Sequence, residues 1–86
     1  MYIKKSGSMF FVNFDHFDGI AAEKQETGIY RLCLFKMNAE HSFSRLVKCV
    51  FPVGRYDREQ TERILAGIEK GIGDHEMIYT ITEAEV

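Results

Sequence analysis

One proline, two cysteines and no long apolar run in 86 residues exclude several kinds of protein at once. A secreted domain of this size generally carries several disulfides, because its core alone cannot hold it together. Cys33 and Cys49 each lie inside an apolar run, and read instead as separate buried thiols in a reducing compartment. A bilayer-spanning helix takes about 20 consecutive apolar residues, so no membrane attachment is expected. The opening "MYIKKSGSMFFV" sets lysines before apolar residues, but Asn13, Asp15 and Asp18 end the run early. It has neither the length of a signal-peptide core nor a small-residue cleavage site. The expected location is cytoplasmic.

Motifs that carry chemistry are also missing. There is no nucleophile elbow, phosphate loop, paired-cysteine zinc motif or dinucleotide fingerprint. The glycines of "GIEKGIG" close a helical pattern, whereas phosphate cradles sit where a helix begins. Thirteen acidic against eleven basic residues, a formal charge of −2, disfavour a dominant surface for polyanions. No repeat, low-complexity segment or linker divides the chain, so residues 1–86 are expected to form a single α+β domain. With 45% hydrophobic and 13% aromatic residues, the composition is that of a folded protein rather than a disordered one.

Periodicity predicts the elements. "MYIKK" reads as a strand, "SGS" as a turn, and "MFFVNF" as a second strand with Phe10, Val12 and Phe14 on one face. Residues 18–28 are polar, fit either helix or irregular strand, and are expected as a connection. "IYRLCLFKM", from Ile29, and "FSRLVKCVFPV", from Phe43 to Val53, read as a hairpin around Asn38–His41, with Pro52 helping to end its second arm. Asp57 followed by Gln60 has the spacing of a capping box. Thr61, Ile64, Leu65, Ile68 and Ile72 then make one apolar helical stripe, which Gly71 and Gly73 can stop in left-handed conformations. "HEMIYTITEAEV" alternates as a last strand. The order is β-β-β-β-α-β, a small antiparallel sheet of four to five strands with one helix packed on a face.

The hairpin is apolar on both sides. Leu32 and Leu34 oppose Cys33, Phe35 and Met37; on the second arm Phe43, Val47, Cys49 and Phe51 oppose Leu46 and Val50. One helix covers one face, so the other must curl into a barrel, lie beneath the 15–28 segment, or meet a second subunit.

The most site-like run is "FDHFDG", Phe14 to Gly19. Asp15, His16 and Asp18 offer an imidazole between carboxylates, but strand parity separates Asp15 from the other two and the spacing matches no zinc signature. It is expected to be a strand end and turn anchored by Phe14 and Phe17, with no metal, cofactor or catalytic residue. Arg31, Phe35, Phe43, Arg45 and Phe51 interleave cations with rings on the hairpin and form the candidate interaction or nucleic-acid surface. The function expected is that of a small cytoplasmic interaction protein, a homodimeric regulator or inhibitor that binds another macromolecule without catalysis. The alternative is a single-stranded nucleic-acid binder using the central sheet, and a metal-dependent enzyme is a distant third.

Overall fold

In the computed structural model, which describes residues 1–9, 11–37 and 47–86, the chain is α+β with one helix and two three-stranded sheets. The first sheet takes β1 (Tyr2–Lys5), β2 (Phe11–Asn13) and β6 (Ile78–Ile81) in the order β2-β1-β6. β1 pairs antiparallel with β2 and parallel with β6. The second takes β3 (Gly19–Glu26), β4 (Ile29–Met37) and β5 (Val47–Asp57), all antiparallel. The helix α1 (Arg58–Gly73) follows β5 directly. Ile3 and Ile81 of the first sheet, Leu32, Leu34, Val53 and Tyr56 of the second, and Ile64 and Ile68 of the helix share one buried cluster. Both sheets thus turn their apolar faces to the helix, and the single expected sheet is two.

The additional strand is the polar 18–28 segment. "GIAAEKQE" is rich in helix formers, yet it pairs along β4 from Gly19↔Phe35 to Glu26↔Ile29 through a tight turn with Gly28 at φ 76°. As an edge strand it has few packing demands, and its exposed Lys24 and Glu26 keep the edge from pairing with other chains. It therefore extends the sheet instead of covering it.

The hairpin register contains two irregularities. Cα pairing jumps from Leu32↔Gly54 to Cys33↔Pro52, and from Leu34↔Phe51 to Phe35↔Cys49. Each leaves one extra residue on β5, Val53 and Val50, and each such bulge shifts the inside–outside alternation by one. Phe51 consequently packs against the core with Leu34, while Cys49 stays on the outer side with Cys33 and Phe35. Pro52 does not end the strand. It sits on an edge strand at a bulge, where its missing N–H costs no ladder bond, and β5 runs on to Asp57.

The helix begins as its sequence implies. Asp57 accepts from the Gln60 N–H at 2.8 Å, and the Gln60 side chain accepts from the Asp57 N–H at 3.0 Å. Thr61, Ile64 and Ile68 are buried, with Leu65 partly so. The last turn departs from expectation: Gly71 is the buried residue and Ile72 is 51% exposed. A Cβ on Gly71 would come within 3.3 Å of the Met1 sulfur, so the glycine admits close packing within the helix. Neither Gly71 nor Gly73 takes a positive φ. The left-handed stop falls on His75, at φ 56°, whose N–H donates to the Ile72 carbonyl while the Glu76 N–H donates to that of Gly71. A β-carbon in this conformation is strained. His75→Gly is expected to raise stability by about 0.5–1 kcal/mol, read as a higher thermal midpoint; an unchanged or lower midpoint would speak against the strain.

Strand β6 ends at Ile81, earlier than the alternating pattern. Residues 82–86 instead run along β5: the Val86 N–H donates to the Arg55 carbonyl, and the Arg55 N–H donates to Glu85. Glu85 also binds Lys5 at 2.6 Å, Gln60 donates to the Ala84 carbonyl, and Arg63 pairs with Glu83 at 2.9 Å. These five residues tie the two sheets and the helix together at the β5 edge. The Lys5 ammonium and the Arg55 N–H hold the Glu85 carboxyl below its ordinary range. Burial, helped by Glu85 and Glu83, pushes the Tyr56 phenol up to about 12, so it stays neutral inside the core.

Candidate functional site

The run "FDHFDG" is local architecture. Phe14–His16 form a single 3-10 turn in which Asn13 accepts from the Asp15 N–H at 3.0 Å. Phe14 and Phe17 pack against the core, and Asp15, His16 and Asp18 are exposed, the Asp15 carboxylate accepting from the N-terminal ammonium at 3.2 Å. The segment is a turn rather than a strand end, and the Asp18 N–H joins it to β4 through the Phe35 carbonyl.

Of the candidate hairpin surface, Phe43 and Arg45 lie outside the described residues. Arg31 and Phe35 share the outer face of the second sheet, as their parity implied, but Phe51 is on the opposite, core-facing side. Arg31 is also neutralised: its Nη2 lies 3.2 and 3.4 Å from the two oxygens of Glu23, directly across on β3. Arg55, directly across from Arg31 on β5, pairs with Glu26 at 3.0 Å. The outer face therefore carries alternating charges in cross-strand pairs rather than a cationic stripe.

The same face brings together a group the sequence did not announce. The first bulge sets Cys33 opposite Pro52, the second sets Cys49 opposite Phe35, and the two cysteines meet across β4 and β5 with Cα atoms 5.5 Å apart in a disulfide. They are not separate thiols, and the expectation of a reducing compartment loses the support it drew from them. Glu23 joins the pair: its Oε1 lies 2.8 Å from the Cys33 sulfur. Ala21, directly opposite Cys33 and small, leaves room for it. Phe35 closes one side by lying over Gly19, where a Cβ would come within 2.6 Å of the ring. Together these five residues line an open cavity of about 210 Å³. Among the described residues, Glu23, Cys33 and Cys49 are the one trio of acid, cysteine or histidine side chains whose donor atoms all lie within 4.8 Å of one another. Glu23 arrives through the regular β3–β4 register, whereas Cys49 reaches the outer side through a bulge, which has no signature in "KCVFPVG" beyond its proline.

A second feature lies on the other sheet. Ile3, Val12, Tyr79 and Ile81 face the core, so Tyr2, Phe11 and Ile78 face outward. Phe11 and Ile78 are 57% and 53% exposed, and the Tyr2 and Phe11 rings meet edge to face with centroids 5.4 Å apart. Exposed Met77 and Ile72 continue this surface around a shallow cavity of about 440 Å³ that also touches Met1 and His75. No helix among the described residues is long and apolar enough to cross a membrane. Comparison with protein-family models, with curated proteins and with solved structures finds no match.

Proposed function

We propose that this protein acts by binding rather than by catalysis, as a small homodimeric regulator or inhibitor. Its contact surface in this reading is the outer face of the β2-β1-β6 sheet. The observation that supports it is the exposed group Tyr2, Phe11 and Ile78, contiguous across three strands and backed by a complete core. Contiguous exposed apolar surface costs solubility unless a partner covers it. A two-fold interface lets the same patch cover itself. In this reading the surface that a partner covers lies on the first sheet, not on the hairpin face from which a second subunit was expected. The nucleic-acid alternative is weaker, since Phe35 and Phe51 face opposite sides and Arg31 is paired with Glu23.

Sedimentation at micromolar concentration is expected to give twice the chain mass for the native sequence and the single chain mass for Phe11→Ser/Ile78→Ser. Both positions are more than half exposed, so the variant should keep its fold and circular dichroism. A native monomer would overturn the homodimer. A dimer that survives the double substitution would place the interface elsewhere.

A further inference from the structure

The Glu23–Cys33–Cys49 group plays no part in the sheet-face reading above, and it has the chemistry of a metal site. We propose that, once its disulfide is reduced, this trio binds one thiophilic divalent cation of the zinc class, with the fourth coordination position open to the cavity beside Ala21 and Phe35.

The short Glu23–Cys33 approach is the starting point. A disulfide sulfur has no proton to donate, so a carboxylate oxygen 2.8 Å away meets only lone pairs. The contact becomes favourable when something positive lies between the two atoms: a thiol proton, or a cation bound by both. The donor placement suits the second. Three adjacent strands each supply one atom, and all three atoms lie within 4.8 Å of one another. Ligands about 2.0–2.3 Å from a four-coordinate zinc are themselves about 3–4 Å apart, so opening the sulfur–sulfur bond lets both thiolates straddle one ion.

Charge selects the same occupant. Two thiolates and a carboxylate bring three negative charges, and the Arg31 guanidinium beside Glu23 offsets one. A dication offsets the remaining two. Two thiolate donors favour zinc over magnesium or calcium, which prefer all-oxygen shells. Three protein ligands with an accessible fourth position are the arrangement of an open zinc site, and the cavity of about 210 Å³ leaves room there for water or a partner's side chain.

The chemistry balances in two steps. A dithiol gives two electrons and two protons to the Cys33–Cys49 bond, which becomes two thiols while the dithiol closes to its own disulfide. The cation then displaces both thiol protons to solvent and binds the two thiolates and the Glu23 carboxylate.

The test uses the full chain, reduced with a dithiol, desalted without oxygen and titrated with cobalt(II) and then zinc. Uptake of one cobalt is expected, with a near-ultraviolet thiolate-to-cobalt band and the intense visible bands of four-coordinate cobalt. Zinc should abolish both. The oxidised protein and Cys49→Ser should show neither, and Glu23→Gln should bind about ten-fold more weakly or worse. Should the reduced chain lose its circular dichroism, one equivalent of zinc is expected to restore it. Reduced protein that takes up no cobalt at micromolar concentration, zinc that fails to restore lost structure, or a Glu23→Gln titration identical to the native one would each overturn the site. Sedimentation of the reduced protein with and without zinc keeps this outcome separate from that of the sheet-face dimer.

Discussion

Opening the Cys33–Cys49 bond, in the presence of a chelator, is expected to lower the unfolding free energy by about 3 kcal/mol. The two residues are 16 apart in sequence, so the bond closes a short loop across the β4–β5 hairpin. Its main effect is to deny the unfolded chain conformations in which the two arms separate, an entropy that a loop of this length sets near that value. For a chain of 86 residues the loss is a large share of the total, since stability runs about 0.05–0.15 kcal/mol per residue. Melting with and without a dithiol should show a fall of about 12–24 °C. Cys49→Ala without reductant should melt close to the reduced protein. A shift of only two or three degrees, estimated against about 4–8 °C per kcal/mol, would mean that the hairpin holds its arms together without the bond. Zinc added to the reduced chain should recover part of the loss, because a ligand bound only by the native state adds stability by mass action.

How much of this was legible in the sequence depended on whether the signal was local. The start of α1 was, because a capping box involves only Asp57 and Gln60 and their own backbone. Strand β4 was, because its apolar residues are buried whichever neighbour they meet. Strand β3 was not. Residues 19–26 have helix-forming composition, and pairing with β4 overrides a propensity worth only tenths of a kcal/mol per residue. The division into two sheets was equally hidden, since the parallel β1–β6 pairing joins residues more than 70 positions apart.

The candidate site was the least legible part. Parity assigns Cys49 and Phe51 to the same side, and that holds only if β5 is regular. The bulge at Val50 separates them, sending the ring inward and leaving the sulfur outside. The pairing of Cys33 with Cys49 and the splitting of the Phe35–Phe51 surface follow from the extra residues on β5. Glu23 reaches Cys33 through the regular β3–β4 register, on a strand whose sequence reads as a connection. A pattern with period two cannot register where it is interrupted.

The helix stripe offers the complementary test, since periodicity treats Ile68 and Ile72 as equals and packing does not. Ile68 is 2% exposed within the shared cluster, beside neighbours from both sheets. Ile68→Ala removes three carbons from a site that cannot fully collapse, and should cost about 2–4 kcal/mol. Ile72, one turn later, lies where the helix has passed the end of the core and Gly71 has taken the buried position against Met1. Ile72→Ala loses little burial and gains helix propensity, so its effect should stay within about 0.5 kcal/mol. Urea denaturation of the two variants, with the disulfide intact in both, measures the contrast directly. Equal losses would mean that the last turn is covered, most simply by the partner that the neighbouring Tyr2, Phe11 and Ile78 face is proposed to bind. Repeating the Ile72→Ala measurement in the Phe11→Ser/Ile78→Ser background would then decide the matter, because a loss caused by a partner disappears with the interface and a loss caused by the core remains.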